Sequence, residues 1–197
     1  CAGMAQSDAF EDITPARFDE IMTLNCRTPF FLCQKALPLL RQSQAASILN
    51  IASVTAHKGY VRQAAYAASK HAMAGFTKTL AAEVYEQGIR VHLISPGGVF
   101  TDMAKVSRPD LTGEEMITAE DIAEIAAFLV LRRTNAVIDE IEVHRANKAP
   151  FAWLRFEPSR DDPTILEVRL TRWPDGGEEV LAHGQAHGAT VEWLAGP

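Results

Sequence analysis

A tyrosine and a lysine stand four positions apart in the segment YAASK, residues 66–70, and Ser53 precedes the tyrosine by thirteen residues. On one helix this spacing places a phenol and an ammonium on the same face. An ammonium about 4 Å from a phenolate in a partly buried site stabilises it by up to about 4 kcal/mol. The phenol pKa would fall by at most about three units before desolvation opposes the effect. The segment therefore predicts a group that exchanges protons near neutral pH.

The chemistry that these residues predict is proton transfer at an alcohol or ketone carbon. Ser53 ends a short apolar run, and its hydroxyl can hydrogen-bond a substrate oxygen while the proton moves. Side chains of these types transfer only a proton, so the hydride of such a reaction requires a redox cofactor. The residues thus predict the proton-transfer part of an oxidation–reduction whose hydride comes from a cofactor.

Helices and strands alternate through the first three quarters of the chain. The predicted helices run from Thr14-Pro15 to about Leu40, from Tyr66 to Gln87 and from Thr118 to about Arg132, and the predicted strands are 46–53, 89–95 and 136–144. Pro29 and Pro38 are expected to kink or shorten the first helix. This order predicts parallel strands joined by crossover helices, with ligands beyond the carboxyl ends of the strands. Ser53 and residues 96–98 lie at such ends.

Two helix boundaries carry local signals. Gly88 is expected as the glycine that follows the second helix. Residues 118–121 resemble a capping box, with Asp121 in place of the usual Glu.

Composition narrows the class of protein. The chain has 197 residues, of which 47% are hydrophobic and 22% charged, as in one soluble domain with or without a small module. A net charge of −6 disfavours nucleic acid, and no apolar run reaches the roughly 20 residues of a membrane span. Cys26 and Cys33 would lie roughly 10 Å apart on one helix, beyond disulfide reach. Reduced thiols predict a cytoplasmic protein.

The composition shifts after Lys148, and all three tryptophans follow it. Residues 165–173, 179–182 and 189–194 are predicted strands, and residues 174–177 are a hairpin turn signal. We therefore expect a small β-rich appendage over 149–197, with no assigned role. His183 and His187 have the spacing of a metal pair but lie outside any predicted helix, so no metal site is expected.

The ordered set Asn25, Ser53, Tyr66 and Lys70, followed by the loop PGGVFT at 96–101, resembles the short-chain dehydrogenase/reductase family. The resemblance covers residues 1–148. It implies an α/β fold, here a truncated Rossmann-like domain with a three-layer parallel sheet, and NAD or NADP as cofactor. It also implies a small carbonyl or alcohol substrate, in a 3-oxoacyl-reductase-like interconversion of a secondary alcohol and a ketone. A homodimer or tetramer would form through the helices that carry Asn25 and Tyr66.

The family pattern implies a role for each member of the set. Tyr66 would be the general acid/base, and Lys70 would hold the nicotinamide ribose and lower the tyrosine pKa. Ser53 would orient and polarise the substrate carbonyl. Asn25 would stabilise a helix irregularity and a water of the proton relay.

The cofactor would also meet residues outside that set. Pro96, Gly97, Val99 and Thr101 would border the nicotinamide. The first three residues, ending in Gly3, match the family's Asn-Asn-Ala-Gly strand end, with Cys1 in place of the second Asn. Residues 102–116 resemble a substrate loop.

One family feature is missing from the sequence. The family's Gly-x-x-x-Gly-x-Gly turn binds the pyrophosphate at a helix N-terminus. In this sequence no two glycines are separated by a single intervening residue, so no Gly-x-Gly is present. Because the chain also opens with Cys1, we expect it to be the C-terminal part of the domain. Two hypotheses remain open: an NAD(P)-dependent oxidoreductase, or a truncated, catalytically silent domain that at most oligomerises.

Overall fold

The structure, a computed structural model, describes residues 2–107 and 112–148, together with the backbone of four strands between 154 and 194. The chain divides into two compact units, Cys1–Asn147 and Lys148–Pro197. Each unit is described by itself below.

The first unit contains a parallel sheet of three strands: β1 (Ser47–Ile51), β2 (Arg90–Pro96) and β3 (Glu140–Val143). Strand β2 lies between the other two, with Ile48 opposite Val91 and Leu93 opposite Glu140. The predicted alternation of helices with parallel strands is confirmed.

The helices of this unit are α1 (Pro15–Met22), α2 (Thr28–Leu40), α3 (Ala64–Val84), α4 (Asp102–Ser107) and α5 (Ala119–Leu131). A π-helical turn, Thr23–Arg27, joins α1 to α2, and this is the irregularity expected at Asn25. Pro29 lies in the first turn of α2, where a proline is tolerated. Pro38 lies inside α2, which ends two residues later.

Local signals fix several helix ends as predicted. The Thr14 side chain accepts a hydrogen bond from the Arg17 amide at 3.2 Å. Gly88 follows a short 3-10 turn at the end of α3 with φ of +74°, which glycine adopts without steric cost. Thr118 and Asp121 form the capping box of α5, so a shorter carboxylate serves in place of Glu.

Helices cover both faces of the sheet. On one face α2 and α3 bury an apolar cluster, with Cys33 and Val84 against Ile48 and Val91. On the other face α5 contacts β1 and β2. The carboxyl ends of β1 and β2 lead into the residues that the sequence marks for chemistry.

The second unit contains an antiparallel sheet in the order β4 (Leu154–Pro158), β5 (Ile165–Thr171), β6 (Glu178–His187) and β7 (Thr190–Leu194). The strands expected in this region are thus present. The predicted turn at 174–177 lies outside the described residues. His183 and His187 both lie on β6.

Within the described residues, no helix is long and apolar enough to cross a bilayer.

Candidate active site

Ser53 is placed by the short turn that follows β1. It caps the 3-10 turn Val54–Ala56, and its Oγ accepts a hydrogen bond from the Thr55 amide at 3.2 Å. This bond uses an acceptor position of the hydroxyl and leaves its proton free to donate. The Ser53 side chain also hydrogen-bonds the phenol of Tyr66 in the first turn of α3. The structure therefore brings together the serine and tyrosine that the sequence paired.

Lys70 lies one turn further along α3 and is 8% exposed. Its Nζ donates to the Ile51 carbonyl at 2.9 Å and lies over the Tyr66 ring, 5.8 Å from the ring centroid. Among the residues that the structure describes, no carboxylate pairs with this ammonium. Burial therefore lowers the Lys70 pKa from 10.5 to about 8. A polar ligand beside Nζ would supply hydrogen bonds to a group removed from water.

The pKa of Tyr66 moves in the direction opposite to the expected one. Burial raises it, and the Ser53 hydrogen bond opposes this only in part. The predicted lowering of the Tyr66 pKa by Lys70 is therefore wrong. The loss of water destabilises the phenolate by more than the Ser53 hydrogen bond stabilises it. The Lys70 ammonium lies over the face of the Tyr66 ring.

Asn25 reaches Tyr66 through Ser69. Asn25 is 1% exposed in the π-helical turn, and its Nδ2 donates to the Met4 carbonyl at 2.9 Å and to Ser69 Oγ at 3.1 Å. Ser69 Oγ in turn donates to the Tyr66 carbonyl at 2.7 Å. Asn25 Oδ1 accepts from the Met4 amide at 2.8 Å. Asn25 thus links the segment after Gly3 to the helix that carries Tyr66.

Gly3 lies close to the same group of residues. A Cβ at this position would lie 3.6 Å from Asn25 Oδ1 and 3.0 Å from Met103 Cε. The tighter contact is with the flexible end of the Met103 side chain, and the Asn25 contact is at ordinary van der Waals distance. Gly3 therefore borders both the Asn25 turn and the start of α4.

The loop after β2 is fixed by hydrogen bonds to its neighbours. The Gly97 amide donates to the Val143 carbonyl at 2.7 Å, and a Cβ on Gly97 would lie 3.3 Å from that oxygen. Val99 pairs with Ile117 in an isolated parallel bridge. Thr101 Oγ1 accepts from the Ala104 amide at 3.3 Å at the start of α4. This loop extends from the carboxyl end of β2.

A polar cluster next to the site ties the Ser53 turn to the sheet. His57 Nε2 lies 2.7 Å from Glu140 Oε1 and 3.2 Å from Ser95 Oγ, and Lys78 Nζ lies 3.2 Å from Glu140 Oε2. A Ser-His-acid triad needs the serine and the acid on different ring nitrogens. Here both contact Nε2, so the cluster is not a hydrolase triad. It braces the end of the turn that Ser53 begins.

A cavity of about 460 Å³ lies elsewhere, near the amino ends of β1 and β2. Arg90 and Arg133 line it, but their guanidinium groups hydrogen-bond backbone carbonyls. None of the residues predicted for chemistry lines it. The chemistry of the side chains, and not cavity volume, identifies the candidate site.

Two residues of this site were missed by the sequence reasoning. Gln6 hydrogen-bonds the start of α3, and Ser69 connects Asn25 to Tyr66. Ser69 stood inside the YAASK segment but carried no signal of its own. Gln6 carried none, because its partners lie 59 and 60 positions away.

A family model described as short chain dehydrogenase matches residues 1–112, more than half of the chain. The chain belongs to the short-chain dehydrogenase family. Levodione reductase of Leifsonia aquatica is 33% identical over 136 residues, which cover 61% of this chain and 51% of that protein. The 3-oxoacyl-(acyl-carrier-protein) reductase FabG of Chlamydia pneumoniae is 30% identical over 136 residues, which cover 65% of this chain and 55% of that protein. The chain thus spans about half the length of these relatives.

Solved structures of the family share the fold. A short chain dehydrogenase of Escherichia coli CFT073, complexed with NADPH, has a TM-score of 0.67 and 28% identity, covering 73% of this chain and 60% of that one. A 3-ketoacyl-(acyl-carrier-protein) reductase of Brucella melitensis, complexed with NADH, has a TM-score of 0.64 and 27% identity, and the match covers 73% of this chain and 63% of that one. The expected Rossmann-like α/β fold is confirmed.

A second family model matches residues 126–193 and is described as an uncharacterized protein conserved in bacteria (DUF2332). The match begins within α5 and extends through the second unit. The later part of the chain therefore resembles a family distinct from the dehydrogenases.

Among the described residues, no three histidine, cysteine, aspartate or glutamate side chains form a group that could hold a metal ion.

Proposed function

We propose that the first unit is the catalytic part of an NAD(P)-dependent oxidoreductase that interconverts a secondary alcohol and a ketone. The observation that carries this proposal is the hydrogen bond between Ser53 and the Tyr66 phenol, with Lys70 one turn away. A proton donor and a second hydroxyl that meet at one point can both address a single substrate oxygen.

In the reducing direction Tyr66 donates its phenolic proton to the substrate oxygen. Ser53 donates a hydrogen bond to the same oxygen, because the Thr55 amide already fixes the orientation of its hydroxyl. A bound nicotinamide cofactor would supply the hydride to the carbonyl carbon. Burial keeps Tyr66 protonated at neutral pH, which suits an acid in ketone reduction.

The nicotinamide end of the cofactor fits residues at the carboxyl ends of the strands. The buried Lys70 ammonium, with no carboxylate partner among the described residues, would hold the ribose hydroxyls beside Tyr66. The residues proposed to border the nicotinamide are Gly3, Pro96, Gly97, Val99 and Thr101. The relatives from E. coli and B. melitensis were solved with NADPH and NADH respectively, so both cofactors are candidates.

The proposed substrate is a small carbonyl compound or alcohol of the 3-oxoacyl type. The relative from C. pneumoniae is named a 3-oxoacyl-(acyl-carrier-protein) reductase and that from B. melitensis a 3-ketoacyl-(acyl-carrier-protein) reductase, and both names support this class. Residues 102–107 and 112–116 would border it, since α4 starts beside Gly3. The remaining residues of the predicted substrate loop, 108–111, lie outside the described residues. We also propose a homodimer or tetramer through α2 and α3, and a cytoplasmic location that would keep Cys26 and Cys33 as free thiols.

Calorimetric titration of the purified chain with NADH and NADPH, followed by oxidation of the bound cofactor with an acetoacetyl thioester, tests the proposal. Tyr66→Phe should abolish turnover and leave cofactor binding within about twofold, since it removes only the proton donor. Tyr85→Phe, at a residue 68% exposed, is the matched control and should behave as the parent. Turnover that persists in Tyr66→Phe would remove the assigned role.

The silent domain is the second candidate. The 197 residues contain no Gly-x-Gly sequence of the kind that binds a pyrophosphate. Under this alternative neither nucleotide binds saturably. Saturable binding with ketone-dependent oxidation would exclude it.

A further inference from the structure

The first turn of α3 is capped by a residue far away in the sequence. Gln63, at the N-cap position, makes no side-chain cap hydrogen bond. Instead, Gln6 Oε1 accepts from the backbone amides of Ala65 at 3.0 Å and Tyr66 at 3.1 Å. The first four amides of a helix have no partner within it, so one side-chain oxygen satisfies two of them. Gln6 is only 1% exposed, and water competes little for these bonds.

As a result, side chains hold both polar backbone groups of Tyr66. Gln6 binds its amide, and Ser69 Oγ binds its carbonyl at 2.7 Å. Ser69 is held by Asn25, which also binds the Met4 backbone in both directions. Residues 4–6 therefore contact the Tyr66 backbone directly through Gln6 and indirectly through Asn25.

The same segment continues along the chain before α3. The Asp8 amide donates to the Arg62 carbonyl at 3.1 Å, and Arg62 Nη2 donates to the Ser7 carbonyl at 3.0 Å. Arg62 has φ of +65°, a left-handed conformation that is uncommon for a residue with a side chain. These contacts hold that conformation and fix the start of α3 against residues 4–8.

We propose that Gln6 is a positioning residue for Tyr66, an inference that rests on the proposed role of Tyr66 as the acid/base. Ser53 comes from β1 and Tyr66 from α3, so their hydrogen bond depends on where the first turn of the helix is held. Gln6 sets that position through the backbone and does not touch the reacting atoms. A displacement of about 1 Å in such a site can cost about a hundredfold in rate.

The test uses the chain's three tyrosines and needs no cofactor. Protein labelled with ¹⁵N and ¹³Cζ tyrosine gives one amide and one phenol resonance for each of them, and Tyr66→Phe assigns Tyr66. Tyr60 and Tyr85, 44% and 68% exposed, serve as internal references. Amide hydrogen exchange reports the Gln6 bond, and the phenol titration reports the environment of the acid group.

Gln6→Met removes the acceptor and keeps the length of the side chain. We expect Tyr66 amide exchange to become roughly tenfold faster, the effect of losing about one hydrogen bond. The Tyr66 phenol midpoint should fall, because burial is the main cause of the raised Tyr66 pKa. Gln6→Glu keeps an oxygen acceptor at the same reach and should restore slow exchange.

Gln44→Met, at an exposed glutamine, is the matched control and should change neither readout. If Gln6→Met does not fold, Gln6→Asn, shorter by one methylene, replaces it with the same expectation. Unchanged exchange and an unchanged Tyr66 midpoint in the folded variant would overturn the proposal. If Gln6→Met, Gln6→Asn and Gln6→Glu all fail to fold, the proposal is also overturned. Absent cofactor binding would count against the proposed function alone, since neither readout depends on it.

Discussion

The buried ammonium of Lys70 donates a hydrogen bond to the Ile51 carbonyl, 2.9 Å away at the end of β1. This contact joins the helix that carries Tyr66 to the strand that leads to Ser53. It also places a positive charge where water is scarce. The two consequences, a fixed site and a stability cost, can be separated by experiment.

Lys70→Met should stabilise the fold at pH 7. The Lys70 pKa is about 8 in the folded chain and 10.5 ordinarily, so the folded state binds fewer protons between these values. Stability of the parent therefore rises with pH from about 8 to 10.5, and the cost of burying the charge is greatest below 8. The lowering of the Lys70 pKa corresponds to about 3 kcal/mol of lost folding stability at pH 7, which Lys70→Met would restore. Loss of the hydrogen bond to the Ile51 carbonyl reduces this gain by about 1 kcal/mol.

Urea unfolding of parent and Lys70→Met at pH 7, 8 and 9 measures this effect. The difference in the free energy of unfolding between Lys70→Met and the parent should decrease by about 1 kcal/mol from pH 7 to pH 9. Lys35→Met, at an exposed lysine of α2, is the control and should show a difference that does not vary with pH. A variant that is less stable than the parent at pH 7 would show that burial does not penalise this charge.

Ser53→Ala should raise the pKa of Tyr66 further. The Ser53 hydrogen bond lowers this pKa and so opposes the effect of burial. Titration by tyrosinate absorbance, taken as a difference against Tyr66→Phe, measures the midpoint. Ser43→Ala, at an exposed serine, should leave it unchanged. A midpoint that falls in Ser53→Ala would mean that Ser53 does not stabilise the phenolate.

Asn25→Leu should destabilise the first unit by about 2–4 kcal/mol. The substitution removes three hydrogen bonds at a residue 1% exposed and leaves the Met4 amide and carbonyl without the Asn25 partner. Urea unfolding measures the loss, and Asn147→Leu, at an exposed position, is the control. A loss below about 0.5 kcal/mol, the range of ordinary surface substitutions, would contradict the bracing role of Asn25.

Leu32→Glu should turn the proposed oligomer into a monomer. Leu32 is 68% exposed on α2, beside Phe30 and Phe31, and Phe30 packs against Phe76 of α3. Burying a carboxylate in an apolar contact is costly. Sedimentation velocity should show a dimer or tetramer for the parent. Leu131→Glu, 78% exposed on α5, should keep that state, and a monomeric parent would contradict the proposal.

Features that depend on neighbours in the sequence were predictable. Thr14 and the Thr118–Asp121 pair mark helix starts because their side chains bond amides three positions away. Gly88 marks a helix end because its own φ is positive. The alternation of apolar strands and helices gave the parallel sheet, and that sheet brings Ser53 and Gly97 to the same edge.

Features that depend on distant contacts were decided by the tertiary structure. Gln6 caps a helix 59 residues away, a contact that no local pattern marks. The sequence placed Tyr66 and Lys70 on one helix face but gave the wrong direction for the Tyr66 pKa. Spacing determines which groups meet, whereas the pKa depends on how much water the fold removes from around them. Burial is a property of the whole packed unit, and only the tertiary structure supplied it.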